Sequence, residues 1–95
     1  MASGTLNKQL IVKPYTISNI TIGAKDVYRF NGISIPDGYM PIGSFIVMDG
    51  AETTISALSP KKRPTDGATA IIEIYNSYSS SLTVSLTLNV IFAKV

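Results

Sequence analysis

Leu82-Thr83-Val84-Ser85-Leu86-Thr87-Leu88-Asn89-Val90-Ile91-Phe92-Ala93 repeats a two-residue pattern six times without a break. Side chains of a β-strand point to opposite faces in turn, so Leu82, Val84, Leu86, Leu88, Val90 and Phe92 share one face. Thr83, Ser85, Thr87, Asn89, Ile91 and Ala93 take the other. On a helix the same apolar residues would be scattered around the whole circumference. The segment from Leu82 to Lys94 is therefore a long strand with one buried face, and it sets the expectation for the rest of the chain.

Outward from that strand, Asn76 to Ser81 is a serine-rich turn, and Ala68 to Tyr75 is a second strongly apolar strand. Further upstream the pattern predicts strands over Lys8–Lys13, ending at Pro14, then over Tyr15–Ile22, Asp26–Ile33, Pro41–Met48 and Thr53–Leu58. The apolar positions of Tyr15–Ile22 shift from odd to even at Ser18-Asn19, which predicts a bulge or a bend there, because one extra residue exchanges the faces. In the next strand Tyr28 and Phe30 share a face opposite Val27 and Arg29. Ile35-Pro36-Asp37-Gly38-Tyr39 reads as a turn, with proline at its first corner and glycine accepting a positive φ after it. Pro41–Met48 is nearly continuously apolar, which predicts burial on both faces. Ser59 to Gly67 is a polar loop bracketed by Pro60 and Pro64. Ile, Val and Thr number 13, 6 and 9, a composition suited to pleated sheets. No helical stripe and no internal repeat occur, so the expected fold is all-β: a small antiparallel sandwich, jelly-roll-like, in one domain. The expected division is a lead-in over residues 1–12 and the sandwich over 13–95.

The chain has 95 residues, of which 45% are hydrophobic and only 15% charged, with mean hydropathy +0.28. Average soluble chains carry about 25% charged residues. A thin core, without cysteine for disulfides or histidine for zinc, leaves self-association as the obvious source of further burial. The apolar runs reach only four residues, as in Phe45-Ile46-Val47-Met48, so no helical membrane insertion is expected. Met1-Ala2-Ser3-Gly4 shows no basic region leading into an apolar stretch, so a secretion signal is not expected either.

The inventory for catalysis is poor. General acid–base chemistry most often uses histidine, which is absent, and no Gly-x-Ser-x-Gly elbow presents a nucleophile. Asp26, Asp37, Asp49, Glu52, Asp66 and Glu73 fall mostly at turns, where aspartate is favoured in any case. Asp49 and Glu52 flank one turn, but two carboxylates fall well short of the six to eight oxygens that calcium takes. The reading is a non-enzyme with no cofactor and no metal. The Asn19-Ile20-Thr21 sequon has no secretory context to give it meaning.

Three surfaces remain as candidates. Lys61, Lys62 and Arg63 supply three of eight positive charges, and without them the net charge of +2 disappears. This cluster is either a solvated loop or a contact for an acidic partner, too small for a nucleic-acid binder. Tyr75, Tyr78 and Ser79 could form an aromatic platform with hydroxyls for a sugar, or could simply end a strand and turn the chain. In the doubly apolar strands one set of side chains fills the core and the other is left for an oligomer interface. That second set is either Phe45 and Val47, or Ile71 with Ile91.

From about residue 20 onward the chain resembles the small β-sandwich domains at the C-terminal ends of tail-fibre and other exposed virion proteins of tailed bacteriophages. The resemblance rests on Pro36-Asp37-Gly38-Tyr39-Met40-Pro41-Ile42-Gly43 and on Asn76-Ser77-Tyr78-Ser79-Ser80-Ser81 before the last strand. It implies a homotrimer on the exterior of a phage particle, produced in the bacterial cytoplasm. Its partners would be other virion proteins and, for a fibre tip, a host-surface glycan. Fewer than 20 residues precede the similarity. The expectation is therefore a small head-decoration or head-fibre component, a tail-fibre tip or an excised domain, attached through Leu6, Leu10 and Val12. A lectin-like carbohydrate-binding module is the alternative.

Overall fold

The computed structural model describes residues 9–48, 54–58, 60–62 and 68–95, with Lys61 and Lys62 as backbone alone. These residues form seven strands and no helix: β1 (Leu10–Ile22), β2 (Val27–Ser34), β3 (Tyr39–Met48), β4 (Ile55–Ala57), β5 (Lys61–Lys62), β6 (Thr69–Asn76) and β7 (Leu82–Lys94). One antiparallel sheet has the order β1-β7-β3. In the other, β6 is central, with β2 on one edge and β4 followed by β5 along the opposite edge. Among the described strands only β5 and β6 are both consecutive and paired, so the chain is stitched from one sheet to the other at most of its connections. The result is a small antiparallel β-sandwich.

Each central strand carries a period-two pattern because it is sheltered on one face and flanked on both sides. From β7, Val84, Leu86, Leu88, Val90 and Phe92 are buried; from β6, Ala70, Ile72 and Ile74. Ile17 and Ile22 of β1, Ile33 of β2 and Ile55 of β4 close the core at its margins. Full burial of a side chain such as Leu88 or Phe92 contributes about 1.5–3 kcal/mol relative to exposure. Tyr15 and Phe30 meet across the sandwich, ring centroids 5.6 Å apart at 60°, and so tie β1 to β2.

The edges hold the departures from expectation. Pro14 does not end a strand: β1 runs through it for 13 residues, with Pro14 opposite Asn89. An edge strand has one side without ladder partners, where a missing N–H does no harm. Consequently Leu10, Ile11 and Val12 open β1 and belong to the sandwich rather than to a lead-in. The bulge at Ser18-Asn19 is present, with Asn19 at φ 53° and its N–H donating to Ser85 Oγ at 2.9 Å. A second bulge, at Asn31-Gly32, shifts β2 so that Ile33 faces inward after Tyr28 and Phe30. The turn into β3 is closed by Tyr39 N–H on the Pro36 carbonyl at 3.0 Å, with Gly38 at φ 81°. Asp37, not Pro36, therefore occupies the first corner. In β3 only one face is sheltered: Ile46 and Met48 pack on the core, whereas Phe45 and Val47 stand exposed. Part of the Ser59–Gly67 loop is the short β5, which extends the edge begun by β4.

Candidate functional site

The outer face of the β1-β7-β3 sheet is built in rows by the strand register. Leu10, Ala93 and Met40 lie side by side, then Val12, Ile91 and Gly43, then Pro14, Asn89 and Phe45, then Thr16, Thr87 and Val47. Beyond them the face becomes hydroxylic: Ser85 receives the Asn19 N–H, and Thr21 and Thr83 share a 2.8 Å hydrogen bond. Every position in these rows is uncharged. Leu10, Val12, Met40, Phe45 and Val47, with Ile42 at the β3 bulge beside them, are each between 42% and 57% exposed. A Cβ built on Gly43 would meet Ile91 Cδ1 at 3.9 Å, so Ile91 leans over the glycine and fills the middle of the face.

Half-exposed side chains of this size leave on the order of 100 Å² each, so the six together offer about 600 Å² of apolar surface. That is at the upper end for the largest patch of a monomer and approaches the ~800 Å² per partner of a standard interface. In the same face, Thr16, Val47, Ser85 and Thr87, with Ile17 and Leu86 between them, line a shallow depression of about 290 Å³. It lies beside the β1 bulge, where the extra residue bends the strand.

The strand edges are built differently from this face. β1 carries Lys13, Pro14 and a bulge; β3 has Pro41 and a bulge; β2 has a bulge and Arg29; and the β4–β5 edge is interrupted by Pro60. Prolines, charges and bulges are the features that discourage pairing of one sheet edge with another. Among the described residues the apolar surface left open is a face and not an edge.

Of the residues expected at an interface, Phe45, Val47 and Ile91 converge on this face, and Leu10 and Val12, expected as attachment residues, join them. Ile71 does not. It lies on the outer side of the other sheet, opposite Lys61 of β5, so Ile71 and Ile91 cannot form one surface. Leu6, Asp49, Glu52 and Arg63 lie outside the described residues, as do the side chains of Lys61 and Lys62.

The opposite outer face is more polar. Arg29 and Glu73 form an exposed ion pair at 3.0 Å, a type of contact typically contributing 1 kcal/mol or less. Tyr75 is half-buried there, between Val27 and Ser56 in the register. Tyr78 and Ser79 are exposed in the turn that follows, so the two tyrosines do not share a strand face. The turn itself is rigidly held. Asn76, fully buried, donates through Nδ2 to the carbonyls of Ile22, Gly23 and Ser80 at 3.1, 3.2 and 3.0 Å. Its Oδ1 accepts the Tyr78 N–H at 2.9 Å, and the Tyr78 carbonyl accepts the Lys25 N–H. Lys25 Nζ donates to the Ser77 carbonyl at 2.7 Å. The signal for an inward Asn76 lies in the sequence, since Ala70, Ile72 and Ile74 continue by twos to position 76.

Among the described residues no cluster of three or more metal-ligating side chains occurs. Among the described residues no helix is long and apolar enough to cross a membrane. No family model, curated protein or solved structure matches the chain.

Proposed function

We propose that this protein is a non-enzymatic structural component of the exterior of a bacteriophage particle, working as a homotrimer. One observation carries the reading: an uncharged sheet face with six large, half-exposed apolar side chains, beside described edges that carry prolines, bulges or charges. Such a face is stable in water only at the cost of exposed apolar surface, and covering it by further copies removes that cost. The segments on which the phage resemblance rests are turns in this chain, Pro36 to Tyr39 leading into β3 and Ser77 to Ser81 leading into β7. The test is mass spectrometry of purified particles together with labelling of the intact particle surface. The chain recovered in stoichiometric amount and labelled from outside supports the reading; its absence from particles overturns it.

A carbohydrate-binding role is the second reading, favoured by Tyr78, an exposed aromatic ring on a turn whose backbone is held at both its N–H and its carbonyl. Specific glycan retention that falls on Tyr78→Ala supports it, and no retention across a broad glycan array removes it.

A further inference from the structure

We infer that copies of this chain are locked together by Phe45 of one copy seating in the depression beside Val47 on the same face of a neighbouring copy. The inference rests on the self-association proposed above and names its central contact.

Four observations lead to it. Phe45 is the largest side chain on the outer face of β1-β7-β3, and it is about half exposed in a row with Pro14 and Asn89. An aromatic anchor near the centre of an interface is the residue type that most often dominates binding energy. The same face carries the depression of about 290 Å³ lined by Thr16, Ile17, Val47, Ser85, Leu86 and Thr87. A volume of about 290 Å³ leaves room for one inserted aromatic side chain. Finally, the face bears no charge, so an identical face can approach it without burying an unpaired ion.

The protrusion and the depression occupy different positions on one surface. Each copy thus offers one of each, and contacts can be passed around a closed ring. The methyl groups of Thr16 and Thr87 would flank the ring of Phe45. The Ser85 hydroxyl, which already accepts the Asn19 N–H, need not be stripped of that partner. Edge pairing would bring no such fit, because the bulges and prolines break the ladders.

The test replaces Phe45 by the photoreactive p-benzoylphenylalanine, which keeps an aromatic ring, in the otherwise unchanged full chain. Irradiation is expected to give a covalent dimer on a denaturing gel, with the cross-linked peptide containing Thr16, Ser85 or Thr87. In parallel, Phe45→Ala should weaken association at least 30-fold, as truncation of a central aromatic anchor does. Its circular dichroism should stay unchanged, because Phe45 is outside the core. If copies associate but the cross-link maps elsewhere or stays within one chain, the inference is wrong and self-association stands. If the unmodified chain is monomeric throughout the micromolar range, both fail together.

Discussion

Replacing Asn76 by alanine should be the most damaging single change to a polar residue in this fold. The side chain is fully buried; its two N–H protons are shared among the carbonyls of Ile22, Gly23 and Ser80, and its Oδ1 accepts the Tyr78 N–H, four contacts in all. It pins the turn after β1 to the turn before β7. Each hydrogen bond is worth roughly 1 kcal/mol net, and a buried group left without a partner costs about 1–3 kcal/mol. The contacts to Gly23, Ser80 and Tyr78 are only partly buried, so water can replace some of what is lost; the one to Ile22 is buried. The expected loss is therefore about 3 kcal/mol, a large part of the 5–15 kcal/mol that holds a typical domain. In a domain of this size that lowers Tm by roughly 10–20 °C. Thermal denaturation followed by circular dichroism reads this directly, with both proteins at one concentration because association itself raises Tm. Asn76→Asp sharpens the test. It keeps the shape but aims a carboxylate at three carbonyl oxygens, so the variant should gain stability as pH falls and the carboxyl takes up a proton. A loss below about 1 kcal/mol for Asn76→Ala would refute the reasoning, since it would mean that the four contacts are interchangeable with water.

Gly38→Ala should cost about 1–2 kcal/mol purely through the backbone. The residue sits at φ 81°, yet nothing lies within 4 Å of the added Cβ. Gly38→Asn should recover part of that loss in urea unfolding, because asparagine tolerates positive φ better. Burial raises the Tyr15 phenol above its ordinary value of about 10. The folded state then holds that proton more tightly, so the contribution is complete below pH 10 and fades as pH rises through the raised value. Urea midpoints measured from about pH 8 to about pH 11 should therefore fall less steeply for Tyr15→Phe than for the unchanged chain.

The fold is legible in the sequence wherever period two is uninterrupted. In β7, and in β6 from Ala70 to Ile74, apolar side chains face inward as the alternation requires. The irregularity at Asn19 is also legible, since the odd-to-even shift of isoleucines calls for a bulge or a bend, and the register shows the bulge. Pro14 is misleading because proline reads as a terminator until the strand is known to lie at an edge, and edge position is a tertiary fact. The face of β3 is ambiguous for a related reason. An apolar run in a strand has the same sequence whether a second sheet or a second molecule covers it. Ile71 and Ile91 look equivalent in sequence, and only the assignment of β6 and β7 to different sheets separates them. The depression beside Val47 is not legible at all, since it arises where the β1 bulge meets Ser85 across two strands.

If other copies of this chain cover the uncharged face of β1-β7-β3, as proposed, a charge placed on that face must break the assembly. Sedimentation velocity of the full chain at micromolar concentration, run beside Val12→Asp, tests it most directly. A trimer is expected for the unchanged chain and a folded monomer for the variant. A soluble monomer in both cases, with no concentration dependence, would contradict it.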